Sequence, residues 1–291
     1  MCIRDSRGTM TAIGFVGLGM MGSAMCRRLT ETGATVLVHD LDRARVDAAT
    51  EHGAVAAGST TAIAENTDIV SICVPAAVHV EAVLDQMATS GRQGQFLLIH
   101  STVGPETIRA AQARASAWKA SVFDAAVAGG ESAARRGALA IFVGGLADAP
   151  ATVTDLLDRY GSNIIDAGPV GSGAALKIAV NVMTYAQFVA AAIAHDAVAT
   201  TGGDPNALLD AWRHTGMLGA LTEQWAELLQ VEPRHVTGTF RTMLENQVGI
   251  AAKDLELATA LGDPSPGAAA VLDALRALMP AVYRTVPMED S

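Results

Sequence analysis

The chain of 291 residues has few aromatic side chains, few cysteines and a deficit of basic residues. Aromatic residues account for 4% of it, so most of the 50% hydrophobic fraction is alanine, valine and leucine, which suit helices and buried parallel strands. The three cysteines, Cys2, Cys26 and Cys73, are scattered, which excludes a disulfide framework and predicts no metal site. The net charge of −10 argues against a nucleic-acid partner, because phosphate contacts require a basic face.

A long uninterrupted apolar run is also lacking. The longest candidate, residues 178–194, contains polar residues such as Asn181 and Gln187, whereas a membrane span needs about 20 mainly apolar residues. We therefore expect a core helix and no membrane partner. Because no secretory signal pattern is visible, we expect a cytoplasmic location. Residues 1–9 fit no periodicity and are interpreted as a tail, with Met10 as the true start.

The first 170 residues alternate between short apolar runs and amphipathic stretches of helical length. The apolar runs are 12–16, 35–39, 69–74, 96–99, 121–124, 138–143 and 163–166. The amphipathic stretches between them include 20–32, 43–52, 77–89 and 105–115. Because both faces of these strands are apolar, the pattern predicts a parallel sheet with helices on both sides.

Glycine and proline interrupt this alternation at Pro169, Gly171 and Gly173, and convincing strand patterns end there. Helical patterns follow at 174–200, 205–213, 219–230, 240–261 and 266–278. The sequence thus predicts an α/β domain at residues 10–170 and an all-α domain at residues 171–291. Two domains also agree with the length, since a domain typically has about 100–200 residues.

The first apolar run leads into Gly17-Leu-Gly19-Met20-Met21-Gly22, a G-x-G-x-x-G motif between a strand and a helix. Gly17 permits a tight turn, Gly19 lets backbone approach a pyrophosphate, and Gly22 lets the helix pack closely on the sheet. The pyrophosphate would then meet the free N–H groups at the start of that helix. The motif in this context predicts a Rossmann-type domain that binds a dinucleotide.

Asp40 lies at the end of the second strand, 18 residues after Gly22. An acidic side chain there accepts hydrogen bonds from the adenosine ribose and repels a 2′-phosphate, which favours NAD over NADP. The alternative is that Asp40 caps a helix beginning at Arg43. Arg43 and Arg45 lie close to Asp40 in the sequence, so the use of NADP remains an alternative.

The rest of the cofactor site is predicted at the ends of later strands. These ends carry Val74-Pro75, Ser101-Thr102 and Ala128-Gly129-Gly130. Each is compatible with ordinary turn chemistry, but all three fall at the carboxyl edge of the sheet, where open α/β sheets bind ligands.

Four motifs follow one another along the chain. They are Gly14-Phe-Val-Gly-Leu-Gly-Met-Met-Gly22, Asp124-Ala-Ala-Val-Ala-Gly-Gly130, Gly171-Ser-Gly-Ala-Ala-Leu-Lys177-Ile-Ala-Val-Asn181 and Lys253-Asp-Leu-Glu-Leu-Ala258. In this order they resemble the β-hydroxyacid dehydrogenase family, which includes 3-hydroxyisobutyrate dehydrogenase and tartronate semialdehyde reductase. The resemblance implies NAD(P)-dependent interconversion of a small β-hydroxyacid and its aldehyde or ketone. It also implies a long interdomain helix from near Gly173, and a homodimer or dimer-based tetramer.

Lys177 and Asn181 are four residues apart and therefore share one helix face. Hydride transfer to a carbonyl leaves a developing alkoxide, which needs a proton and a nearby positive charge. A lysine in a partly desolvated pocket can supply both as general acid and base. By resemblance, Asn181 would donate to the same oxygen or orient the ammonium. Spacing alone also fits an ordinary lysine whose stem packs on apolar surface.

The resemblance assigns further residues to the cofactor and substrate. Ser101 and Thr102 match the family's Ser-Thr-Val segment and would face the nicotinamide ribose or the substrate, the alternative being a helix N-cap before Pro105. Lys253 resembles the family's lysine near the nicotinamide.

Two further features concern the substrate pocket. Gly129 and Gly130 would present backbone N–H groups to a substrate carboxylate. Trp212 and Phe240 are candidates for the pocket wall, although lone aromatics on helices more often belong to the core.

The second motif departs from the family's Asp-Ala-Pro-Val-Ser-Gly-Gly at Ala126 and Ala128. The family serine helps to hold the substrate carboxylate, and its loss removes a hydrogen bond worth on the order of 1–3 kcal/mol. A bulkier or less charged carbonyl compound therefore remains an alternative substrate, and imine reduction remains an alternative reaction. Imine reductases share this architecture but typically replace the catalytic lysine, so Lys177 favours carbonyl chemistry.

Two more distant alternatives are a non-catalytic dinucleotide-binding scaffold and a 6-phosphogluconate-type dehydrogenase. The Lys177–Asn181 pair argues against the first, and the short chain argues against the second.

Overall fold

The computed structural model describes residues 12–286, apart from the side chains of Ala220 and Pro233. The predicted tail at residues 1–9 and the predicted start at Met10 lie outside the described residues. The chain divides into two compact units, the first ending at Lys177 and the second beginning at Ile178. This division falls inside a long helix, α8 (Ser172–Thr200), and residue 170 stays the sequence-based prediction for the domain boundary.

The first unit contains one eight-stranded sheet. Its strands are β1 (Ile13–Val16), β2 (Val36–His39), β3 (Val55–Ala56), β4 (Ile69–Ile72), β5 (Phe96–Ile99), β6 (Ser121–Ala128), β7 (Leu139–Gly144) and β8 (Gly161–Gly168). Their order across the sheet is β3-β2-β1-β4-β5-β6-β7-β8. The strand order reverses between β1 and β4, and such a reversal opens a crevice beyond the carboxyl ends of the strands.

Helices cover both faces of this sheet. They are α1 (Met20–Glu31), α2 (Arg43–Glu51), α3 (Thr60–Asn66), α4 (Ala77–Ala88), α5 (Pro105–Ala115), α6 (Gly130–Arg136) and α7 (Ala151–Tyr160). One apolar core groups Phe15 of the sheet with Met25 of α1, and a second groups Val70 with Leu84 of α4. The predicted Rossmann-type α/β fold is confirmed.

The predicted parallel sheet is confirmed as predominantly parallel, with one antiparallel pair of strands. β6 and β7 run antiparallel, with Asp124 opposite Gly144 and Ala128 opposite Ala140. The segment that joins them contains only the seven-residue helix α6, whereas a parallel crossover needs a dozen or more residues. β6 also continues to Ala128, beyond the predicted end at residue 124, because its residues pair with β7.

All the regular secondary structure in the described part of the second unit is helical. After α8 it contains α9 (Pro205–Thr215), α10 (Ala220–Ala226), α11 (Gly238–Thr259) and α12 (Pro266–Val282). The predicted helix at 219–230 is a short α-helix followed by a 3₁₀ turn at Glu227–Gln230. Phe188 of α8 stacks on Trp225 with ring centroids 4.6 Å apart. The predicted all-α unit and the long helix that enters it are confirmed.

Helix α8 is, among residues 12–286, the one helix long and apolar enough to cross a membrane by length and composition. Core helices of soluble proteins meet the same criterion. Its residues Tyr185, Phe188 and Val189 are buried in the apolar core of the helical unit. The expected absence of a membrane partner stays a prediction.

A buried histidine joins several strands of the sheet unit. His100 Nδ1 lies 2.7 Å from the Ala125 carbonyl oxygen, and Nε2 lies 3.2 Å from Ser71 Oγ and 3.3 Å from the Tyr160 hydroxyl. Because a carbonyl only accepts, Nδ1 carries the proton and Nε2 of the neutral ring accepts from a hydroxyl. Burial lowers the pKa of His100 from 6.5 to about 4, so this network holds the neutral imidazole.

This lowered pKa predicts acid lability. Between pH 6.5 and about 4 the unfolded chain binds a proton at His100 that the folded chain excludes, so stability is complete above 6.5 and falls as the pH drops. The full loss is on the order of 3 kcal/mol. We expect the urea midpoint of the wild type to fall from pH 7 to pH 5. In His100→Gln the urea midpoint should depend less on pH, whereas in the control His79→Gln, a change at an exposed residue, it should fall as in the wild type. If the urea midpoint of His100→Gln falls as steeply with pH as that of the wild type, His100 is not the cause.

Candidate active site

The turn after β1 is closed by two glycines. Gly17 has a φ of +92°, and a Cβ on it would overlap the Cys73 carbonyl. A Cβ on Gly22 would overlap the Gly17 carbonyl. Gly19 differs, because its φ is −62° and a Cβ there would meet only the Arg45 guanidinium, 4.0 Å away. Gly17 and Gly22 are therefore needed to form the turn, whereas Gly19 faces open space.

Helix α1 begins directly after this turn. Gly19 is its N-cap residue and supplies no side-chain hydrogen bond, and the first turn of α1 contains no acidic residue. The first N–H groups of a helix and the positive end of its dipole attract anions. This bare helix start beside the open face of Gly19 fits a dinucleotide pyrophosphate, as predicted for Gly17, Gly19 and the residues Met20 to Gly22.

Asp40 is tied to the glycine turn. Its Oδ2 accepts a hydrogen bond of 2.6 Å from the Leu18 N–H, and its Oδ1 accepts one of 2.8 Å from the Asp42 N–H. The N-cap of α2 is Asp42, which accepts from the Ala44 N–H, so Asp40 does not cap that helix. Arg45 Nη1 lies 3.9 Å from Asp40 Oδ2. The carboxylate is thus fixed beside the turn, where it could meet an adenosine ribose.

The ends of β1, β4 and β5 are also joined. The Cys73 N–H donates to the Val16 carbonyl at 2.8 Å, and the Val74 N–H donates to Ser101 Oγ at 2.8 Å. Ser101 is buried, and α5 is capped by Gly104 rather than by a side chain. Ser101 therefore holds the neighbouring strand end and does not cap α5. Its hydroxyl can still donate its own proton.

The end of β6 turns sharply into α6. Gly129 has a φ of +126° and Gly130 a φ of +72°. A Cβ on Gly129 would lie 2.8 Å from the Ala133 Cβ, whereas one on Gly130 would have no atom within 4 Å. Ala128, half-buried, precedes this turn. The backbone at Gly130 therefore faces open space, as a substrate-binding turn requires.

A buried carboxylate organises the polar residues of the helical unit. Asp254 Oδ2 accepts hydrogen bonds from Asn181 Nδ2 at 2.7 Å and from the Tyr185 hydroxyl at 3.0 Å. Lys253 Nζ lies 2.9 Å from Asp254 Oδ1, as an ion pair without the alignment of a hydrogen bond. Burial and the charge of Asp254 raise the pKa of Tyr185, so its hydroxyl keeps its proton and donates.

Tyr185 is the residue of this cluster that the sequence interpretation missed. It follows Asn181 by four residues, so helical spacing alone places both on one face of α8. The predicted pocket residues Trp212 and Phe240 instead pack, partly buried, against the apolar core of the helical unit. Their role at the substrate stays a prediction.

Comparison with known proteins decides the family. The NAD binding domain of 6-phosphogluconate dehydrogenase matches residues 12–168. The 3-hydroxyisobutyrate dehydrogenase of Pseudomonas aeruginosa is 33% identical over 265 residues, which cover 87% of this chain and 89% of the relative. The chain belongs to the 3-hydroxyisobutyrate dehydrogenase family. The NAD-dependent L-serine dehydrogenase of the same organism is 32% identical over 257 residues, which cover 86% of this chain and 84% of the relative.

Solved structures share the fold of this family member. The 3-hydroxyisobutyrate dehydrogenase of Salmonella typhimurium has a TM-score of 0.79 at 25% identity and covers 95% of this chain and 100% of its own. An imine reductase from Aspergillus terreus has a TM-score of 0.64 at 21% identity, covering 94% of each chain, which shows a common fold. The dehydrogenase-family chain is therefore an NAD(P)-dependent oxidoreductase with a fold related to that of imine reductases.

Alanine substitutions at Gly19 and Gly22 should affect different properties of this dehydrogenase, NAD affinity at Gly19 and stability at Gly22. Gly22→Ala places a methyl group against the Gly17 carbonyl and should destabilise the fold by about 1–3 kcal/mol. Gly19→Ala meets open space at a compatible φ, so its melting temperature should stay near that of the wild type. Its NAD affinity should fall at least about tenfold, or ~1.4 kcal/mol. Calorimetric titration and thermal melts measure both, and wild-type NAD affinity in Gly19→Ala would contradict the pyrophosphate position.

Proposed function

We propose that this enzyme oxidises the hydroxymethyl group of a short 3-hydroxy acid to the aldehyde, and catalyses the reverse reduction, with Lys177 as general acid and base. The observation that carries the proposal is the place of Lys177 in the second turn of α8, one turn before Asn181. Asn181 is in turn fixed by its 2.7 Å hydrogen bond to Asp254.

The chemistry follows from these side chains. Bound NAD⁺ supplies the acceptor for the hydride that leaves the alcohol carbon. Lys177, as a neutral amine, takes the hydroxyl proton on Nζ as that C–H bond breaks, so that a carbonyl forms. In the reverse direction its ammonium returns the proton to the developing alkoxide. Asn181 keeps a second amide hydrogen beyond the one given to Asp254, and this hydrogen is available to the substrate oxygen.

The substrate class rests on the relatives and on the turn after β6. The two Pseudomonas aeruginosa relatives are named for 3-hydroxyisobutyrate and L-serine, which both carry a hydroxymethyl group next to the carbon that bears the carboxylate. Ala126 is buried inside β6, so its exchange for the family proline removes no pocket group. At Ala128 the hydroxyl is lost, which leaves the carboxylate to the backbone N–H groups of Gly129 and Gly130.

An oligomer assembled through the helical unit is part of this proposal. Large apolar side chains of that unit are exposed, which favours burial against a second copy. They include Met183, Ile193, Met243, Ile250 and Val271. A homodimer or a dimer-based tetramer in the cytoplasm is the expected form.

Cofactor choice gives one test. Because the Asp40 carboxylate would repel a 2′-phosphate, kcat/KM should be at least about tenfold higher with NAD than with NADP. Asp40→Ser should narrow that ratio in steady-state assays with both cofactors. Asp42→Ser, which keeps a capping hydroxyl for α2, is the matched control and should leave the ratio unchanged. A wild type that prefers NADP would refute the role of Asp40.

Lys177 gives the decisive test. With 3-hydroxyisobutyrate, L-serine, glycerate and 3-hydroxypropionate as substrates, Lys177→Ala should lower kcat by about 10²–10⁴-fold, the usual share of general acid–base catalysis. Lys177→Arg should be equally impaired, because a guanidinium keeps its proton. NAD affinity should be unchanged in both variants, and the exposed Lys119→Ala should behave as the wild type. Near-normal kcat in Lys177→Ala, or turnover of a cyclic imine alone, would overturn the proposal.

A further inference from the structure

Asp124 is a fully buried carboxylate at the middle of β6, with an exposed fraction of 0%. Its Oδ1 accepts a hydrogen bond of 2.8 Å from the Gly171 N–H, and its Oδ2 accepts one of 2.8 Å from the Ala174 N–H. Gly171 directly precedes α8 and Ala174 lies in its first turn. The carboxylate therefore binds the first turn of that helix to the sheet.

The surrounding backbone leaves room for this carboxylate. Gly144 lies opposite Asp124 on β7, and a Cβ on Gly144 would overlap the carboxylate oxygen. A Cβ on Gly173 would lie 2.9 Å from Asp124 Oδ2 and against the Phe142 carbonyl. Two glycines thus permit the close approach of β6, β7 and α8.

The charge of Asp124 suits this position. The two N–H donors lie at the positive end of the helix dipole and each donates to a different carboxylate oxygen. A neutral side chain of the same shape, asparagine, can accept only through one of its two terminal atoms. Loss of the charge therefore removes one of the two hydrogen bonds and the interaction with the dipole.

The same carboxylate lies between two parts of the proposed active site. Lys177 follows Ala174 by three residues, about 4.5 Å along the helix axis. In the other direction, β6 runs from Asp124 to Ala128 and into the Gly129–Gly130 turn. All of these residues belong to the first unit.

We propose that Asp124 is a positioning residue that holds Lys177 at a fixed place relative to the Gly129–Gly130 turn. The proposal rests on the proposed function, because it assigns Lys177 the proton transfer and the turn the substrate carboxylate. A displacement of a reacting group by about 1 Å can lower the rate about 10²-fold. Asp124 thus acts on the reaction through Lys177 without contacting the substrate.

Asp124→Asn tests this role, with Asp166→Asn as the matched control. Asp166 also accepts a backbone N–H, that of Gly168 at 2.9 Å, but it is exposed and does not contact α8 through that bond. We expect Asp124→Asn to stay folded at the assay temperature and to bind NAD as the wild type does. Amide hydrogen exchange at Gly171 and Ala174 should accelerate, and kcat at saturating substrate should fall at least about tenfold. Asp166→Asn should change neither quantity.

A double variant separates positioning from general destabilisation. If Asp124 acts through Lys177, adding Asp124→Asn to Lys177→Ala should lower the residual rate little further. Equal fold-losses in both backgrounds, or a wild-type kcat in folded Asp124→Asn, would overturn the proposal. If Asp124→Asn does not fold, Gly173→Ala replaces it as the test, because its methyl group displaces the start of α8 while the charge of Asp124 is kept. The proposal then requires that Gly173→Ala lose kcat at least about tenfold with unchanged NAD affinity.

The outcomes also distinguish this proposal from the function on which it rests. An inactive wild type, or an active Lys177→Ala variant, counts against the proposed function. The positioning role alone is overturned if three results occur together. The wild type is active, Lys177→Ala is inactive, and amide exchange at Gly171 and Ala174 is unchanged in Asp124→Asn.

Discussion

The close contact between Gly17 and the Cys73 carbonyl fixes the glycine turn after β1, where the cofactor is predicted to bind. No residue with a Cβ fits there without displacing β4, and Gly22 meets the Gly17 carbonyl in the same way. These two contacts hold the turn between β1 and α1 against Cys73, the residue that follows β4. Asp40 is then tied to the turn through Leu18, and Val74 is tied to the next strand through Ser101. The turn that is predicted to bind NAD(P) is thus held both by backbone packing and by the side chains of Asp40 and Ser101.

Three buried polar groups connect elements that are distant along the chain. His100 joins β4, β5, β6 and α7, Asp124 joins β6 to the start of α8, and Asp254 joins α11 to α8. Each has hydrogen-bond partners, as buried polar groups require, since an unpaired one would cost about 1–3 kcal/mol. A hydrogen bond constrains direction as well as distance, so these groups orient their elements more narrowly than apolar packing alone does.

The helices of the sheet unit illustrate which elements a sequence pattern can reveal. Helices α1, α2, α4 and α5 begin where the sequence patterns predicted. In α1, α4 and α5 an apolar face recurs over several turns, whereas in α2 only Val46 is buried. The antiparallel pairing of β6 and β7 was missed, because the direction of a strand depends on the length of its connection and on available partners rather than on its own composition. The two-residue strand β3 and the short helix α6 are too brief to show a period.

Local sequence patterns predict the two-part organisation, the glycine turn, the position of Asp40 directly after β2 and the shared helix face of Lys177 and Asn181. Each of these features depends on residue types at short, fixed spacings. The folded chain was needed to show that Ser101 holds Val74 and that Asp124 holds the start of α8. The partners of Asp124 lie 47 and 50 residues away, and that of Ser101 lies 27 residues away. Hydrogen bonds over such separations depend on how strands and helices pack, which local spacing does not encode.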